Sequence, residues 1–221
     1  MKEIKVLESI FAANENLADE NAKFFEERGI YAINLMASPG SGKTSFILAT
    51  VDRLKNKFKT AVIEGDIASK VDTEKVRAHG IESVQINTGG ACHLEANMIK
   101  QAIGHLNLDG TDLLIIENVG NLVCPADFTL GESARTVILS VPEGDDKPLK
   151  YPSIFQSCSV LVVNKIDMME LSDFNMQRLQ DIVYRLNPNV KIIPLSCRTG
   201  EGFDVWISWL TEQLDNRRQG K

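Results

Sequence analysis

Short runs of β-branched and other apolar residues alternate along the chain with segments in which apolar residues recur at helical spacing. The runs predict strands at 31–37, 60–63, 83–86, 113–116, 136–141, 160–163 and 191–194. The segments between them predict helices at 44–55, 72–79, 94–106, 173–185 and 203–214. Because strands that alternate with helices form parallel sheets covered by helices, the pattern predicts an α/β doubly wound domain whose strands are buried on both faces.

Another helical segment precedes the first strand. Apolar residues recur at roughly helical spacing from Ile4 to about Arg28, and Gly29 follows as a stop signal. The segment 141–151 has the Pro, Gly and charged residues of a loop. We predict one domain over residues 1–221, with no linker that divides it. Its predicted parts are a leading helix (1–29), the α/β body (30–214) and a polar tail (215–221).

Composition and charge exclude several classes of protein. Of the 221 residues, 43% are hydrophobic and 24% charged, which is typical of an ordinary globular protein. The 30 acidic and 24 basic side chains give a net charge of −6, and no Lys/Arg block is present, so we expect no nucleic-acid partner. The longest apolar runs are far shorter than the ~20 residues of a membrane-spanning helix, so we expect no membrane role. Four cysteines and an amino terminus unlike a secretory signal favour the cytoplasm.

A glycine-rich segment, A-S-P-G-S-G-K-T, follows the first strand and leads into a predicted helix. In such a segment, named here the phosphate loop (37–44), backbone N–H groups and the helix N-terminus bind phosphate oxygens. The Lys43 ammonium would reach the β and γ phosphates, and the Thr44 hydroxyl would bind Mg²⁺. Ala37 stands where the pattern usually begins with glycine. The body is therefore predicted to be a P-loop NTPase-type domain, with phosphate contacts from Pro39, Gly40, Ser41, Gly42, Lys43, Thr44 and Ser45.

The segment N-K-I-D follows the sixth strand and is named here the base loop (164–167). The Asp167 carboxylate can accept hydrogen bonds from N1–H and the 2-amino group of guanine, whereas adenine lacks this arrangement of donors. Asn164 would join the base to the phosphate loop, and the Lys165 stem would cover the ring. The backbone N–H groups of Ser196 and Cys197 would meet guanine O6. We predict GTP and GDP, not ATP, as the nucleotides.

Acidic residues follow two other strands. Glu117 ends the fourth strand where a Walker-B acid would bind the magnesium ion's water shell, and the Gly120 N–H would contact the γ phosphate. Asp66, at the exit of the second strand, would orient the attacking water or the metal's waters; as an alternative it caps a helix. Asn121 replaces the water-positioning glutamine of small signalling G proteins, which predicts slow GTP hydrolysis. The predicted catalytic residues are Lys43, Asp66, Glu117 and Gly120, and the predicted Mg²⁺ residues are Thr44, Asp66 and Glu117.

Cysteine and histidine occur near the same predicted loops. Cys92 and His93 lie where a Gly-Gly loop meets a helix, and Cys124 comes four residues after Gly120. Thiolate and imidazole suit Zn²⁺ or Ni²⁺, and three ligands leave one coordination position open. A lone Cys-His pair is more often a core thiol beside a surface histidine. Proximity to Gly120 favours a metal site, because movement of that loop by the γ phosphate would carry Cys124 with it. We interpret the Cys158 and Cys197 thiols as structural.

Several strings together resemble one family. They are the phosphate loop, N-T-G-G-A-C-H-L, I-I-E-N-V-G-N-L-V-C-P-A-D-F, E-G-D-D-K-P-L-K-Y-P and V-V-N-K-I-D. This set is similar to that of the HypB family, SIMIBI-class GTPases that assist nickel insertion into nickel–iron hydrogenases, over about residues 1–214. The resemblance implies a GTP-dependent homodimer with nickel or zinc bound by Cys92, His93 and Cys124 near the dimer contact. It also implies a partner nickel metallochaperone and a hydrogenase large subunit that receives the nickel.

Three alternatives remain open from the sequence. The first is an accessory GTPase for urease or another metalloenzyme, which would differ only in its recipient. The second is a small-molecule kinase that carries a structural zinc. The third is a zinc-bridged interaction module whose nucleotide site is vestigial.

Overall fold

The computed structural model describes residues 6–66 and 78–219. The helices are α1 (Val6–Arg28), α2 (Lys43–Leu54), α3 (Ala96–Ile103), α4 (Lys147–Lys150), α5 (Pro152–Ser157), α6 (Met176–Leu186) and α7 (Phe203–Gln219). The strands are β1 (Tyr31–Ala37), β2 (Thr60–Asp66), β3 (Glu82–Asn87), β4 (Leu113–Glu117), β5 (Ala134–Ser140), β6 (Val160–Asn164) and β7 (Lys191–Pro194). Short 3₁₀ turns cover Cys124–Ala126, Val141–Glu143 and Ile166–Leu171.

Within the described residues, seven strands form one parallel sheet in the order β3-β2-β4-β1-β5-β6-β7. The predicted α/β doubly wound fold with a leading helix is confirmed. Because all strands run in the same direction, their carboxyl ends meet at one edge of the sheet, where α/β proteins bind ligands. The phosphate loop, the base loop, the end of β2 and the loop after β4 therefore share this edge.

The five inner strands carry the buried core, as their continuous apolar runs predict. β1, β4 and β6 are buried at every position. The prediction of burial on both faces is wrong for β3 and β7. β3 begins with the exposed Glu82, and β7 begins with the exposed Lys191. These two strands form the sheet edges, where a partner strand is present on one side only.

The end of α1 follows the predicted stop signal. Gly29 has φ +66°. Its N–H donates to the Glu26 carbonyl (2.9 Å), and the Ile30 N–H donates to the Phe25 carbonyl (2.8 Å). This is the Schellman pattern, in which a left-handed glycine satisfies the last helix carbonyls and turns the chain into β1.

Two predicted boundaries are corrected. The 141–151 segment, predicted to be a loop, contains the turn Val141–Glu143 and α4. The turn is closed by the Glu143 carboxylate, which accepts hydrogen bonds from the Ser140 N–H (2.8 Å) and hydroxyl (2.7 Å). The predicted polar tail is helical as far as Gln219. Its charged side chains bind the body, with Arg218 paired to Asp112 (2.9 Å).

Some predictions concern residues that the structure does not describe. Most of the helix predicted at 72–79 lies outside the described residues, as do the first residues of the leading helix and the last two of the tail. Among the helices that are described, none combines the length and apolar character needed to cross a bilayer.

Candidate functional site

The phosphate loop joins β1 directly to α2. Gly40 and Gly42 have φ +76° and +100°, which are left-handed values that favour glycine. Ala37 needs no such freedom, because it is the last residue of β1 and its φ is not positive. Among the described residues, Lys165 is the one non-glycine residue with positive φ. The loop therefore keeps its turn geometry with alanine at the first position.

The base loop is fastened to the phosphate loop by two hydrogen bonds. The buried Asn164 amide donates to the Ser41 carbonyl (2.9 Å), and the Lys165 ammonium donates to the Gly40 carbonyl (2.7 Å). The Asn164 oxygen also accepts hydrogen bonds from the N–H groups of Lys165 (2.8 Å) and Cys197 (3.2 Å). Asn164 therefore joins the base loop to the phosphate loop by its hydrogen bond to Ser41.

Asp167 lies beside a cavity of about 240 Å³ between these two loops. The lining residues are Gly42, Ser45, Asn164, Lys165, Asp167, Met168, Cys197 and Arg198. One Asp167 oxygen, Oδ1, accepts a hydrogen bond from the Ser196 hydroxyl (2.7 Å), and Arg198 Nη1 lies 3.9 Å from Oδ2. The carboxylate is therefore held in one orientation at the wall of a space that lies next to the phosphate loop.

The prediction that the Ser196 and Cys197 N–H groups meet guanine O6 is wrong, because both donate within the protein. The Cys197 N–H donates to the Asn164 oxygen (3.2 Å). The Ser196 N–H donates to the Glu201 carbonyl (2.9 Å), and the Ser196 carbonyl accepts from the Gly200 N–H (2.9 Å). This turn closes on itself, so the Ser196 N–H is directed to the protein and not to a base. The hydroxyl that orients Asp167 is the contribution of Ser196, and the sequence analysis missed it.

Carboxylates from two neighbouring strands lie at the same edge. Asp66 ends β2 and Glu117 ends β4, while Thr44 is the second residue of α2, close to the end of β1. Glu64, which the sequence analysis missed, is the register partner of Glu117, and the exposed fractions of these two residues are 4% and 7%. Carboxylate and hydroxyl oxygens are ligands that Mg²⁺ accepts, so the donor set at this edge fits that ion.

The loop after β4, residues 118–126, is named here the Gly120 loop. It lies against the phosphate loop: a Cβ on Gly120 would be 3.1 Å from Pro39 Cγ and 3.3 Å from the Pro39 nitrogen. Gly120 therefore allows a close approach of the two backbones. The two loops are therefore in direct contact at Gly120 and Pro39.

Cys92, His93 and Cys124 come together although they belong to two loops. Their ligand atoms lie within 4.8 Å of one another. Cys92 and His93 belong to the loop 88–95, named here the Cys92 loop, and Cys124 belongs to the Gly120 loop. The two sulfur atoms are 2.8 Å apart, and His93 Nδ1 is 3.6 Å from Cys92 Sγ. Two thiols and an imidazole in this arrangement are a donor set that fits Ni²⁺ or Zn²⁺.

The His93 ring is held by aromatic contacts. It stacks on Phe128 with ring centroids 4.0 Å apart, and Phe128 contacts Phe11 of α1 at 5.2 Å. Glu95 Oε1 lies 3.6 Å from Nε2, on the side of the ring away from Cys92. The imidazole therefore presents Nδ1 to the Cys92 sulfur, and within the described residues Nε2 is buried without a hydrogen bond, because 3.6 Å to Glu95 exceeds hydrogen-bond distance.

Local environment raises the pKa of three thiols, those of Cys92, Cys158 and Cys197. The hydrogen bond between Cys92 and Cys124 raises the pKa of the Cys92 thiol, with burial and the neighbouring sulfur charge adding to the rise. Metal binding at this thiol would therefore release a proton. Burial raises the pKa of Cys158 to about 12 and that of Cys197 to about 11. Such thiols remain protonated, in agreement with a structural role.

Asparagine side chains connect the loops, and the sequence analysis gave them no such role. Asn118 is fully buried; its amide donates to Asn34 of β1 (3.1 Å), and its oxygen accepts from the Leu94 N–H (3.1 Å). The Asn121 amide donates to the Cys92 carbonyl (3.1 Å). The sequence carries no periodic signal for these bonds, because each joins positions far apart along the chain.

Comparison with known proteins shows the family to which the chain belongs. Residues 31–194 match the family described as CobW/HypB/UreG, nucleotide-binding domain. Hydrogenase maturation factor HypB of Azotobacter vinelandii is 42% identical over 219 residues, which are 99% of this chain and 72% of that protein.

Two solved structures are similar over most of the chain. The crystal structure of hydrogenase maturation factor HypB from Archaeoglobus fulgidus is 42% identical with a TM-score of 0.86, covering 92% of this chain and 99% of that one. The crystal structure of HypB from Helicobacter pylori in complex with nickel is 38% identical with a TM-score of 0.87, covering 92% and 96%.

Proposed function

The chain belongs to the HypB family of hydrogenase maturation factors, and from this premise we propose that it is a GTP-hydrolysing metallochaperone that assists nickel insertion into nickel–iron hydrogenase. One observation carries the proposal. Cys124, part of the Cys92–His93–Cys124 cluster, lies on the same loop as Gly120. The loop that would sense a γ phosphate therefore also bears a metal ligand. Nickel bound there is cargo, and a relative of known structure binds this metal.

The nucleotide chemistry is assigned to the residues at the carboxyl edge of the sheet. Lys43 and the loop N–H groups would bind the phosphates, and Asp167 would select guanine. Mg²⁺, when bound, would neutralise phosphate charge, and Thr44, Asp66 and Glu117 would hold it. We assign the protein GTP hydrolysis to GDP and phosphate, with slow turnover because Asn121 stands where a water-positioning glutamine would be.

We assign a GTP-bound homodimer in which a second copy approaches the metal cluster. Val123, adjacent to Cys124, exposes 56% of its surface, which supports a contact at this point. Three ligands per chain leave coordination positions that a second copy or a recipient can fill. The expected partners are a nickel metallochaperone and a hydrogenase large subunit. Thiol ligands of this kind persist in the reducing cytoplasm, where we place the protein.

A metal titration tests the proposed function. Protein loaded with GDP and protein loaded with a slowly hydrolysed GTP analogue are titrated with Ni²⁺. If the γ phosphate repositions the Gly120 loop, the two affinities should differ by a factor of about 5 to 150, which is the usual range of coupling between sites. Equal affinity and equal stoichiometry in both states would contradict the proposal.

Cys124→Ala should separate metal binding from nucleotide binding. Removal of one of three ligands is expected to weaken Ni²⁺ binding by about 100-fold or more, because loss of an outer-shell partner alone costs about 10–100-fold. GTP affinity should stay within about threefold of the parent, since the side chain does not reach the nucleotide pocket. Calorimetry with each ligand measures both. Loss of both Ni²⁺ binding and GTP binding would show that Cys124 is needed for folding and not for metal binding.

A further inference from the structure

A side chain outside the ligand set joins the two loops that carry the metal ligands. The Asn121 amide belongs to the Gly120 loop and donates to the backbone carbonyl of Cys92 (3.1 Å). We propose that Asn121 is a positioning residue that transmits movement of the Gly120 loop to Cys92, so that both thiols respond to the nucleotide. This inference rests on the proposed function, in which the γ phosphate moves that loop.

Both ends of the Asn121 amide are engaged. Its Oδ1 accepts a hydrogen bond from the Val123 N–H (2.9 Å), which closes a local turn, while Nδ2 reaches the Cys92 carbonyl. The preceding residue, Gly120, lies against Pro39 of the phosphate loop. A displacement that begins at Gly120 would therefore pass through one turn and one hydrogen bond to Cys92.

The other end of the Cys92 loop is anchored to the sheet. The Leu94 N–H donates to the buried Asn118 oxygen (3.1 Å), and the Leu94 side chain fills the space above Gly65, where a Cβ would come within 2.8 Å of it. Leu94 is thus fixed while Cys92 is attached to the Gly120 loop. Movement at Asn121 would change the position of Cys92 relative to Leu94 and thereby reshape the metal site.

This role also accounts for the residue type at position 121. A glutamine that orients water needs a free amide at the γ phosphate. One N–H and the oxygen of the Asn121 amide are instead used for Cys92 and Val123. The orientation of the side chain is therefore set by the loops that carry the metal ligands.

The test uses Asn121→Ser in the full chain. The serine hydroxyl can close the same turn with the Val123 N–H but is too short to reach the Cys92 carbonyl. The matched control is Asn107→Ser, because Asn107 closes a similar turn with the Asp109 N–H (3.1 Å). Asn107 precedes β4 and therefore lies at the amino ends of the strands, away from the metal ligands.

Ni²⁺ affinity is measured for each protein with GDP and with the GTP analogue. The parent and Asn107→Ser should keep the affinity ratio of about 5 to 150 between the two states. Asn121→Ser should bring that ratio to within about twofold of one, while binding Ni²⁺ in the GDP state nearly as well as the parent. An unchanged ratio in Asn121→Ser overturns the inference.

A second readout does not depend on metal. In metal-free protein, diamide takes two electrons and two protons from the Cys92 and Cys124 thiols, forming the disulfide and the corresponding hydrazine. The sulfurs are 2.8 Å apart, so oxidation joins this pair, whereas burial slows the reaction of Cys158 and Cys197. Asn121→Ser should form the disulfide about threefold or more slowly than the parent, as expected for loss of one hydrogen bond.

The two readouts separate the two proposals. If the parent shows no difference in Ni²⁺ affinity between nucleotide states, the coupling in the proposed function fails. The link through Asn121 is then judged by disulfide formation alone: a slower rate in Asn121→Ser than in Asn107→Ser supports it. Equal rates in these two variants overturn it.

Discussion

Asp167→Asn should lower GTP affinity by a factor on the order of 10³ or more and convert the base preference from guanine to xanthine. Guanine presents two donors to the carboxylate, and an asparagine amide would set a donor against one of them, leaving buried polar groups unpaired. Xanthine carries a carbonyl at that edge and would accept this donor. Competition of GTP, XTP and ATP against a fluorescent guanine nucleotide measures the change.

The structure makes this substitution interpretable. Ser196 can donate to the asparagine oxygen as it does to Asp167 Oδ1 (2.7 Å), so the side chain keeps its orientation. Ser196→Ala is the control: it removes the orienting bond, costs about tenfold in GTP affinity and keeps the preference for guanine. An Asp167→Asn protein that still prefers GTP to XTP would show that another residue selects the base.

Gly42→Ala should reduce GTP affinity by about 100-fold or more and destabilise the protein without nucleotide. The residue has φ +100°, which costs a side-chain-bearing residue about 1–2 kcal/mol. Its Cβ would also lie 2.6 Å from Asn164 Nδ2. Displacing the buried Asn164 breaks its bond to the Ser41 carbonyl, which adds about 1–3 kcal/mol and detaches the base loop from the phosphate loop.

Gly40→Ala provides the matched control. Gly40 has φ +76°, yet a Cβ there would meet nothing within 4 Å in the protein itself. Without nucleotide, Gly40→Ala should therefore lower the free energy of unfolding only by the backbone cost, and Gly42→Ala by roughly twice as much or more. Chemical denaturation without ligand measures the difference. Equal losses would mean that Asn164 moves aside at no cost and that the link between the two loops is weak.

Features with a local physical cause could be predicted from the sequence. β1 and β7 have the predicted bounds, and the other strands differ at their ends by a few residues. The glycines of the phosphate loop are predictable because left-handed backbone needs them at fixed spacing. Gly29 ends α1 as predicted for the same reason. The errors fall where a local pattern is overridden by contacts, as at residues 215–219, whose helix is held by the body.

The candidate site could be predicted only in part. Asp167 and Lys43 belong to motifs with a fixed spacing, so their positions at the sheet edge follow from the strand–loop–helix order. Glu64 was missed because a single charged residue inside an apolar strand gives no periodic signal of its own. The Ser196 N–H was assigned wrongly because the closure of the 196–201 turn depends on backbone geometry and not on residue type.

The sequence by itself determined the parallel α/β scaffold and the set of soft metal donors, since apolar periodicity and residue chemistry are properties of local segments. Tertiary structure alone decided that Cys92 would meet Cys124, 32 residues away, and that Asn121 would bind the Cys92 carbonyl. These contacts join loops that follow β3 and β4, two strands that β2 separates in the sheet. Their distance is set by strand order and by buried bonds such as Asn118 to Leu94, which no local pattern along the chain contains.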